Sequence, residues 1–246
     1  MPESLLFHYR VPPIPCKVNY FMCNKEKVLR QDACFRHVFS NFVATDNYWI
    51  FIERTTDMTQ QEDIRKAVEV MKKGGVILYP TDTVWGIGCD ATNAEAVAKI
   101  YDIKKRDDSK AMICLADSDT RIQRYVRNVP NVAWDLLEVS ERPTTVILDN
   151  AVNLAPNLIA EDGSIAMRIT KEPFSKELCY RFQKPVVSTS ANISGEPAAQ
   201  NYCDISPELL EAVDYVCWSR RQEHKPHTPS SIIKITNDGV VTIIRK

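Results

Sequence analysis

Residues 74–110 read GGVILYPTDTVWGIGCDATNAEAVAKIYDIKKRDDSK. The apolar run Val76 to Tyr79 has the length of a buried strand and stops at Pro80, which cannot donate to a sheet ladder. Thr81, Asp82 and Thr83 follow as a cluster of small hydrogen-bonding side chains. Gly86 and Gly88 allow tight backbone, and Asn93 can cap a helix whose apolar positions Ala96, Val97 and Ile100 fall at helical spacing. That helix delivers Lys104, Lys105, Arg106 and Lys110 near its end. Hydroxyls closing a strand supply directed donors and a basic segment supplies charge, which together suit a phosphate or carboxylate. A basic run at a helix C-terminus also suits the helix dipole as plain solvated surface.

A second polar cluster favours the ligand reading. Ser188-Thr189-Ser190-Ala191-Asn192 again follows an apolar run, Pro185-Val186-Val187. Two such clusters in one alternating α/β chain point to a ligand crevice at the strand ends. Ile165 to Ile169 forms a further strand pattern with Arg168 inside it. An arginine in such a run needs a carboxylate, either internal or from a ligand. The ligand is preferred, because a guanidinium grips a free carboxylate with two prongs.

The remaining chain supports one α/β domain. Thr59 and Glu62 make a capping-box pattern before the apolar stripe Ile64, Ala67, Val68 and Met71, so the domain is expected to begin at Met58. Residues 1–57 show no sustained period except around Tyr48 to Ile52, and Pro12-Pro13-Ile14-Pro15 breaks any early element. They are expected to be a poorly ordered N-terminal extension. Strands are expected at Ala111 to Ala116 and Thr144 to Leu148, and helices at Thr120 to Val126, Asn131 to Val139 and Ser175 to Phe182. Another helix opens at Ser206-Pro207-Glu208. A closing hairpin turns at Asn237-Asp238-Gly239 and brings Arg245 to the end of the last strand. Strands alternating with helices and finishing in a hairpin predict a twisted mixed β-sheet with packed helices, not a purely parallel one.

Composition excludes several function classes. The 246 residues carry a net charge of −1, so no strong overall field draws nucleic acid, although a local basic crevice could. The eight cysteines include no Cys-x-x-Cys pair, and the five that lie singly in α/β-type sequence read as free thiols of a reducing cytoplasm. Cys16, Cys23, Cys34 and His37 have spacings too irregular for a zinc knuckle. No apolar run approaches the roughly 18 residues of a membrane span, and no signal peptide opens the chain. Dinucleotide and P-loop glycine patterns are lacking. The histidines, at 8, 37, 224 and 227, leave residues 58–223 with none, and no Gly-x-Ser-x-Gly elbow occurs, which argues against acyl hydrolysis.

Several ordered motifs over residues 58–246 resemble the YrdC-like family of threonylcarbamoyl-adenylate synthases. They are Pro80-Thr81-Asp82-Thr83-Val84-Trp85-Gly86-Ile87-Gly88, Lys104-x-Arg106, Ala166-Met167-Arg168-Ile169, Ser190-Ala191-Asn192 with Ser194-Gly195, and Pro229-Ser230-Ser231-Ile232. The resemblance implies a single-domain YrdC-like fold related to dihydroxybutanone-phosphate synthase. It also implies an ATP-dependent nucleotidyltransferase that joins L-threonine, bicarbonate or CO2, and ATP into threonylcarbamoyl-AMP for tRNA modification. By the same resemblance, Lys104 and Arg106 would be catalytic and hold the triphosphate, with Lys110, Ser164, Asn192 and Arg245 also on ATP. Thr83, Arg168, Ser190 and Ser230 would form the threonine pocket. Mg2+ would come with ATP, with no metal-binding residues of the protein implied. RNA contact and downstream threonylcarbamoyl-transfer machinery are the implied partners, and no membrane. The competing reading is an RNA-binding module of the same fold without synthase activity; a third is a carbamoyl-transfer relative using carbamoyl phosphate. Departures from the family pattern are Lys104-Lys105-Arg106-Asp107 in place of Lys-Gly-Arg-Pro, Leu115 where some members carry histidine, and the lack of the common Asp-Gly-Gly before Pro229.

Overall fold

The computed structural model describes residues 58–105, 112–223 and 228–246, and the backbone of three strands before them. The chain divides into two units, Met1–Met58 and Thr59–Lys246. In the first, β1 (Tyr20–Asn24), β2 (Phe42–Ala44) and β3 (Tyr48–Ile52) pair antiparallel in the order β1-β3-β2. The expected extension lies, apart from these strands, outside the described residues. So do Arg106, Lys110, His224 and His227.

The second unit opens with α1 (Gln60–Lys72). The Thr59 side chain accepts from Glu62 N–H, and the Glu62 carboxylate accepts from Thr59 N–H at 3.0 Å, closing the expected capping box. Ile64, Ala67, Val68 and Met71 fall at i, i+3, i+4 and i+7 and are buried. Four strands come next, interleaved with helices: β4 (Ile77–Tyr79), β5 (Gly86–Gly88), α2 (Ala94–Lys104), β6 (Ile113–Ala116), α3 (Asp119–Gln123), α4 (Asn131–Val139) and β7 (Thr144–Leu148). The chain continues through β8 (Ile165–Ile169), α5 (Pro173–Phe182), β9 (Val186–Ser190), α6 (Pro207–Ala212), β10 (Tyr215–Val216), β11 (Ser231–Ile235) and β12 (Val241–Arg245).

Among the described residues one nine-stranded sheet runs β10-β4-β5-β9-β6-β8-β7-β11-β12. The pairs β10–β4, β6–β8 and β7–β11 are parallel and the others antiparallel, so the sheet is mixed, as the sequence predicts.

Three local expectations shift. Gly86 to Gly88 is a strand and not only tight backbone. A Cβ on Gly88 would stand 2.5 Å from the Val187 carbonyl oxygen and 2.6 Å from the Tyr79 ring, so only glycine admits that close packing. The fifth helix begins at Pro173, before Ser175, because the Glu172 carboxylate caps it, accepting from Phe174 and Ser175 N–H at 3.0 and 2.7 Å. The third helix stops at Gln123, short of Val126, which instead bridges Ala151.

Strand periodicity divides the core in two. Leu78, Ile87, Val187, Cys114, Met167 and Val146 face a cluster completed by α2, α3 and α4 through Val97, Ile100, Ile122 and Leu137. Ile77, Tyr79, Leu115 and Val186 face the other side, under Ile64 and Met71 of α1 and Phe174, Leu178 and Phe182 of α5. These two helices reach the part of their face made by β4, β9 and β6. Neither apolar cluster claims the same side of β8, β7, β11 and β12 at Arg168, Thr145, Lys234 and Arg245. The described cysteines 89, 114, 179, 203 and 217 are free thiols. Among the described residues no helix is long and apolar enough to cross a membrane.

Candidate active site

Strand pairing carries one face across the sheet residue by residue. Gly86 pairs with Ser190, and Ser188 with Ile113. Ile113 pairs with Ala166, Ala166 with Ile147, and Ile147 with Lys234. Leu115 pairs with Arg168, Thr145 with Ile232, and Ile232 with Arg245. Paired residues share a side and alternate residues share a side, so Ser164, Arg168, Ser190, Ser230 and Arg245 belong to one face. The expected site residues therefore spread over a sheet face, and not along a single row of strand ends. Arg245 reaches this face through a β-bulge. Ile232 pairs with Arg245 but Ile233 pairs with Ile243, leaving Ile244 as the extra residue. Unbroken alternation from Ile243 would have turned Ile244 to the site and Arg245 away.

The loop between β4 and β5 brings in Thr83 and Asp82. Thr81 organises it: its hydroxyl donates to the Val84 carbonyl at 2.7 Å and accepts from Thr83 N–H at 3.1 Å. Arg168, only 3% exposed, donates to Thr83 Oγ1 at 3.4 Å and lies 2.9 Å from Asp82 Oδ1. The Asp82 contact is one of charge, without hydrogen-bond geometry. Among the described residues neither Asp82 Oδ1 nor Arg168 Nε has a hydrogen-bond partner. Burial pushes the Asp82 carboxyl above its ordinary range, and the Arg168 charge opposes that shift. The internal carboxylate, the less favoured partner for Arg168 on sequence grounds, is present.

A second layer holds this loop. Arg220 donates to the Thr81 carbonyl at 2.9 Å and contacts Glu172 at 3.2 Å and Glu223 at 2.8 Å. Its segment is tied to α1 by the buried Asp63, which accepts from Tyr215 Oη, Trp218 N–H and Ser219 N–H at 2.7, 3.0 and 2.7 Å. A hollow of about 310 Å³ opens beside Asp82, with Arg142, Thr144, Lys171, Glu172 and Arg220 in its walls. No motif marks Arg220 in the sequence. Asp82 stands in the quoted cluster, but its pairing spans 86 positions.

Two further groups form. Ser230 is buried, shares a hydrogen bond of 2.9 Å with Thr145 Oγ1, and gives its carbonyl to Arg245 Nε and Nη2 at 2.9 and 2.7 Å. The Arg245 pKa is lowered by burial first and then by the Arg168 charge. Lys104, 1% exposed at the end of α2, donates to the carbonyls of Ser190 and Asn192 at 2.5 and 2.6 Å. Asn192 donates its amide to the carbonyls of Ile193 and Glu196 at 2.9 and 2.7 Å, and its buried Oδ1 has no hydrogen-bond partner among the described residues. Ser190 joins the β4–β5 loop through Gly86 and through Ala191 N–H on the Trp85 carbonyl at 2.9 Å. Ser164 stands four residues before Arg168, about 13 Å along the strand. Its hydroxyl donates to Asp162 Oδ1 at 2.5 Å.

Residues 69–246 match the family model named for Sua5, YciO and YrdC and described as telomere recombination. The chain belongs to this family. The Sua5/YciO/YrdC match takes in Asp82, Thr83, Lys104, Ser164, Arg168, Ser190, Asn192, Ser230 and Arg245. A threonylcarbamoyl-AMP synthase of Pseudoalteromonas translucida is 34% identical over 161 residues, 64% of this chain and 86% of that relative. E. coli YciO shares the fold with a TM-score of 0.66 at 26% identity, over 76% of this chain and 90% of its own. P. abyssi Sua5, solved with L-threonine, gives a TM-score of 0.64 at 21% identity over 72% of this chain. This chain matches 52% of that protein's length. The Sua5/YciO/YrdC fold thus agrees with the mixed α/β sheet expected from the sequence.

Proposed function

We propose that this chain is a threonylcarbamoyl-AMP synthase, a nucleotidyltransferase that supplies the activated intermediate for threonylcarbamoyladenosine in tRNA. The family membership and the curated relatives of that name support the activity. The observation that carries it to the site is Arg168, buried beside Thr83 with its Nε unpartnered among the described residues. A buried guanidinium with an open prong suits a small carboxylate.

Arg168, Thr83, Ser190 and Ser230 would hold L-threonine. Lys104, Asn192, Ser164 and Arg245 would face ATP, joined by Arg106 and Lys110. The threonine amine adds to CO2 to give a carbamate, whose oxygen attacks the α-phosphorus of ATP, and pyrophosphate leaves. Such a reaction needs two anions aligned and their charge met, which is positioning and electrostatics in place of a protein nucleophile. Among the described residues no group of three or more His, Cys, Asp or Glu could hold a metal. Mg2+ would enter with ATP, held by phosphate oxygens and water. A cytoplasmic site of action, tRNA and a downstream transfer machinery belong to the same proposal, as does a catalytic domain of residues 58–246.

Pyrophosphate release from ATP by the purified chain, with threonine and bicarbonate present or withheld, tests the reading. Release that depends on both supports it, and fragment 58–246 is expected to retain it. Release indifferent to threonine, with salt-sensitive RNA binding in its place, would sink it in favour of an RNA-binding module.

A further inference from the structure

We infer that Asp82 receives the ammonium group of the amino acid and, until the amino acid arrives, stands in for its carboxylate on Arg168. The inference rests on the reading of Arg168 as the carboxylate holder. Its starting point is the poor quality of the pair. Asp82 Oδ1 sits 2.9 Å from Arg168 without hydrogen-bond geometry, and that oxygen and Arg168 Nε both lack a hydrogen bond among the described residues. A buried arginine and a largely buried aspartate that meet by charge alone are weakly compensated for the water they lose. A built structural pair would show directed bonds, as Arg121 does with Asp117 at 2.8 Å and Lys184 with Asp90 at 2.6 Å.

Ion-pair exchange resolves the mismatch. An incoming carboxylate would take Arg168 from two sides, including Nε, and release Asp82. The released carboxylate would then meet the ammonium carried on the neighbouring carbon of the same ligand. Charge balances at each stage: Arg168 against Asp82 in the empty site, and Arg168 against carboxylate with Asp82 against ammonium in the filled one. Asp82 also borders the hollow of about 310 Å³, which is walled by Arg142, Thr144, Lys171, Glu172 and Arg220 and by none of the other residues assigned to the amino acid. Arg220 and Glu172 in its wall contact each other at 3.2 Å, and their charges act on Asp82 in opposite directions. An anion lacking the amine would gain Arg168 but strand Asp82 buried and unpaired, so the site is specific for amino acids over hydroxy acids.

The test is the binding of L-threonine and of 2,3-dihydroxybutanoate, which replaces the amine with a hydroxyl, to the full chain by calorimetry. Wild type is expected to prefer threonine by about tenfold. Asp82→Asn should weaken threonine by about tenfold and tighten the hydroxy acid, so that the order reverses. Equal fold-changes for both ligands in Asp82→Asn overturn the inference. Should that variant fail to fold, wild type decides: equal affinities overturn it, and a tenfold preference upholds it. Arg168→Ala separates the two levels. If it leaves both ligands bound as before, the pocket reading fails; if it abolishes both while Asp82→Asn does not reorder them, only the role of Asp82 fails.

Discussion

The ammonium of Lys104 lies 2.5 Å from the carbonyl oxygen of Ser190 and is all but closed to solvent. With its second bond to the Asn192 carbonyl, it ties the end of α2 to the turn after β9. A lysine read from sequence as a triphosphate ligand therefore also has a structural duty: it sets the backbone that presents Asn192.

Lys104→Met keeps the aliphatic stem and removes the donors. Two part-buried carbonyls lose a charged partner, so stability should fall by about 2–3 kcal/mol. A thermal melt should show this as a drop of roughly 4–12 °C in Tm. ATP affinity should fall in the same variant while threonine affinity changes less, and an unchanged melt would show the clamp to be dispensable.

Gly88→Ala would set a methyl 2.5 Å from the Val187 carbonyl oxygen and 2.6 Å from the Tyr79 ring. Neither backbone nor a fully buried ring can retreat cheaply, so a loss of about 3 kcal/mol or more is expected in denaturant unfolding. Gly86→Ala meets its nearest neighbours at 3.2 and 3.3 Å and should cost less.

Asp162 should register in acid. Bonds from Lys234 and Ser164 hold its pKa at about 2, below the 3.8 of a free aspartate. A depressed carboxylate contributes stability above its unfolded pKa and loses it as pH falls through the folded one. The carboxylate is 53% exposed, so solvent screening limits the contribution to under about 1 kcal/mol. Asp162→Asn should therefore be slightly less stable than wild type at pH 7, and the gap should close between about pH 4 and pH 2.

The described thiols should divide by burial. Cys203 is exposed, whereas Cys89, Cys114, Cys179 and Cys217 are buried. Desolvation pushes Cys114 up to about 12 and raises the other three as well. Brief alkylation of the native protein at pH 8, followed by peptide mapping, should label Cys203 and spare these four.

The elements legible from sequence are those whose signals are local. Thr144–Leu148 and Ile165–Ile169 are apolar runs bounded by turn residues, and both are strands over those residues. The Thr59–Glu62 box and the Asn93 cap mark helix starts for the same reason. Gly86–Gly88 escaped because a strand of three residues shows no period, and Tyr215–Val216 because two residues show none. The helix expected from Ser175 begins earlier, at Pro173, because proline suits the first turn and the Glu172 carboxylate caps it. In the site, Arg168 announced itself as a charge in an apolar run, but its partner could not be read locally. Asp82 meets it only through the folding of a distant loop, and the side on which Arg245 falls depends on a bulge that alternation does not reveal.

The extra residue in β12 also bears on solubility. That strand forms the outer edge of the sheet, with Val240, Val241, Ile243 and Ile244 open to solvent. An apolar border of this kind is a template for stacking by a neighbour's strand, and a kinked ladder is a poor one. Removing Ile244 would leave the arginine in its place and straighten the border, so the shortened protein should turn cloudy at concentrations the parent tolerates.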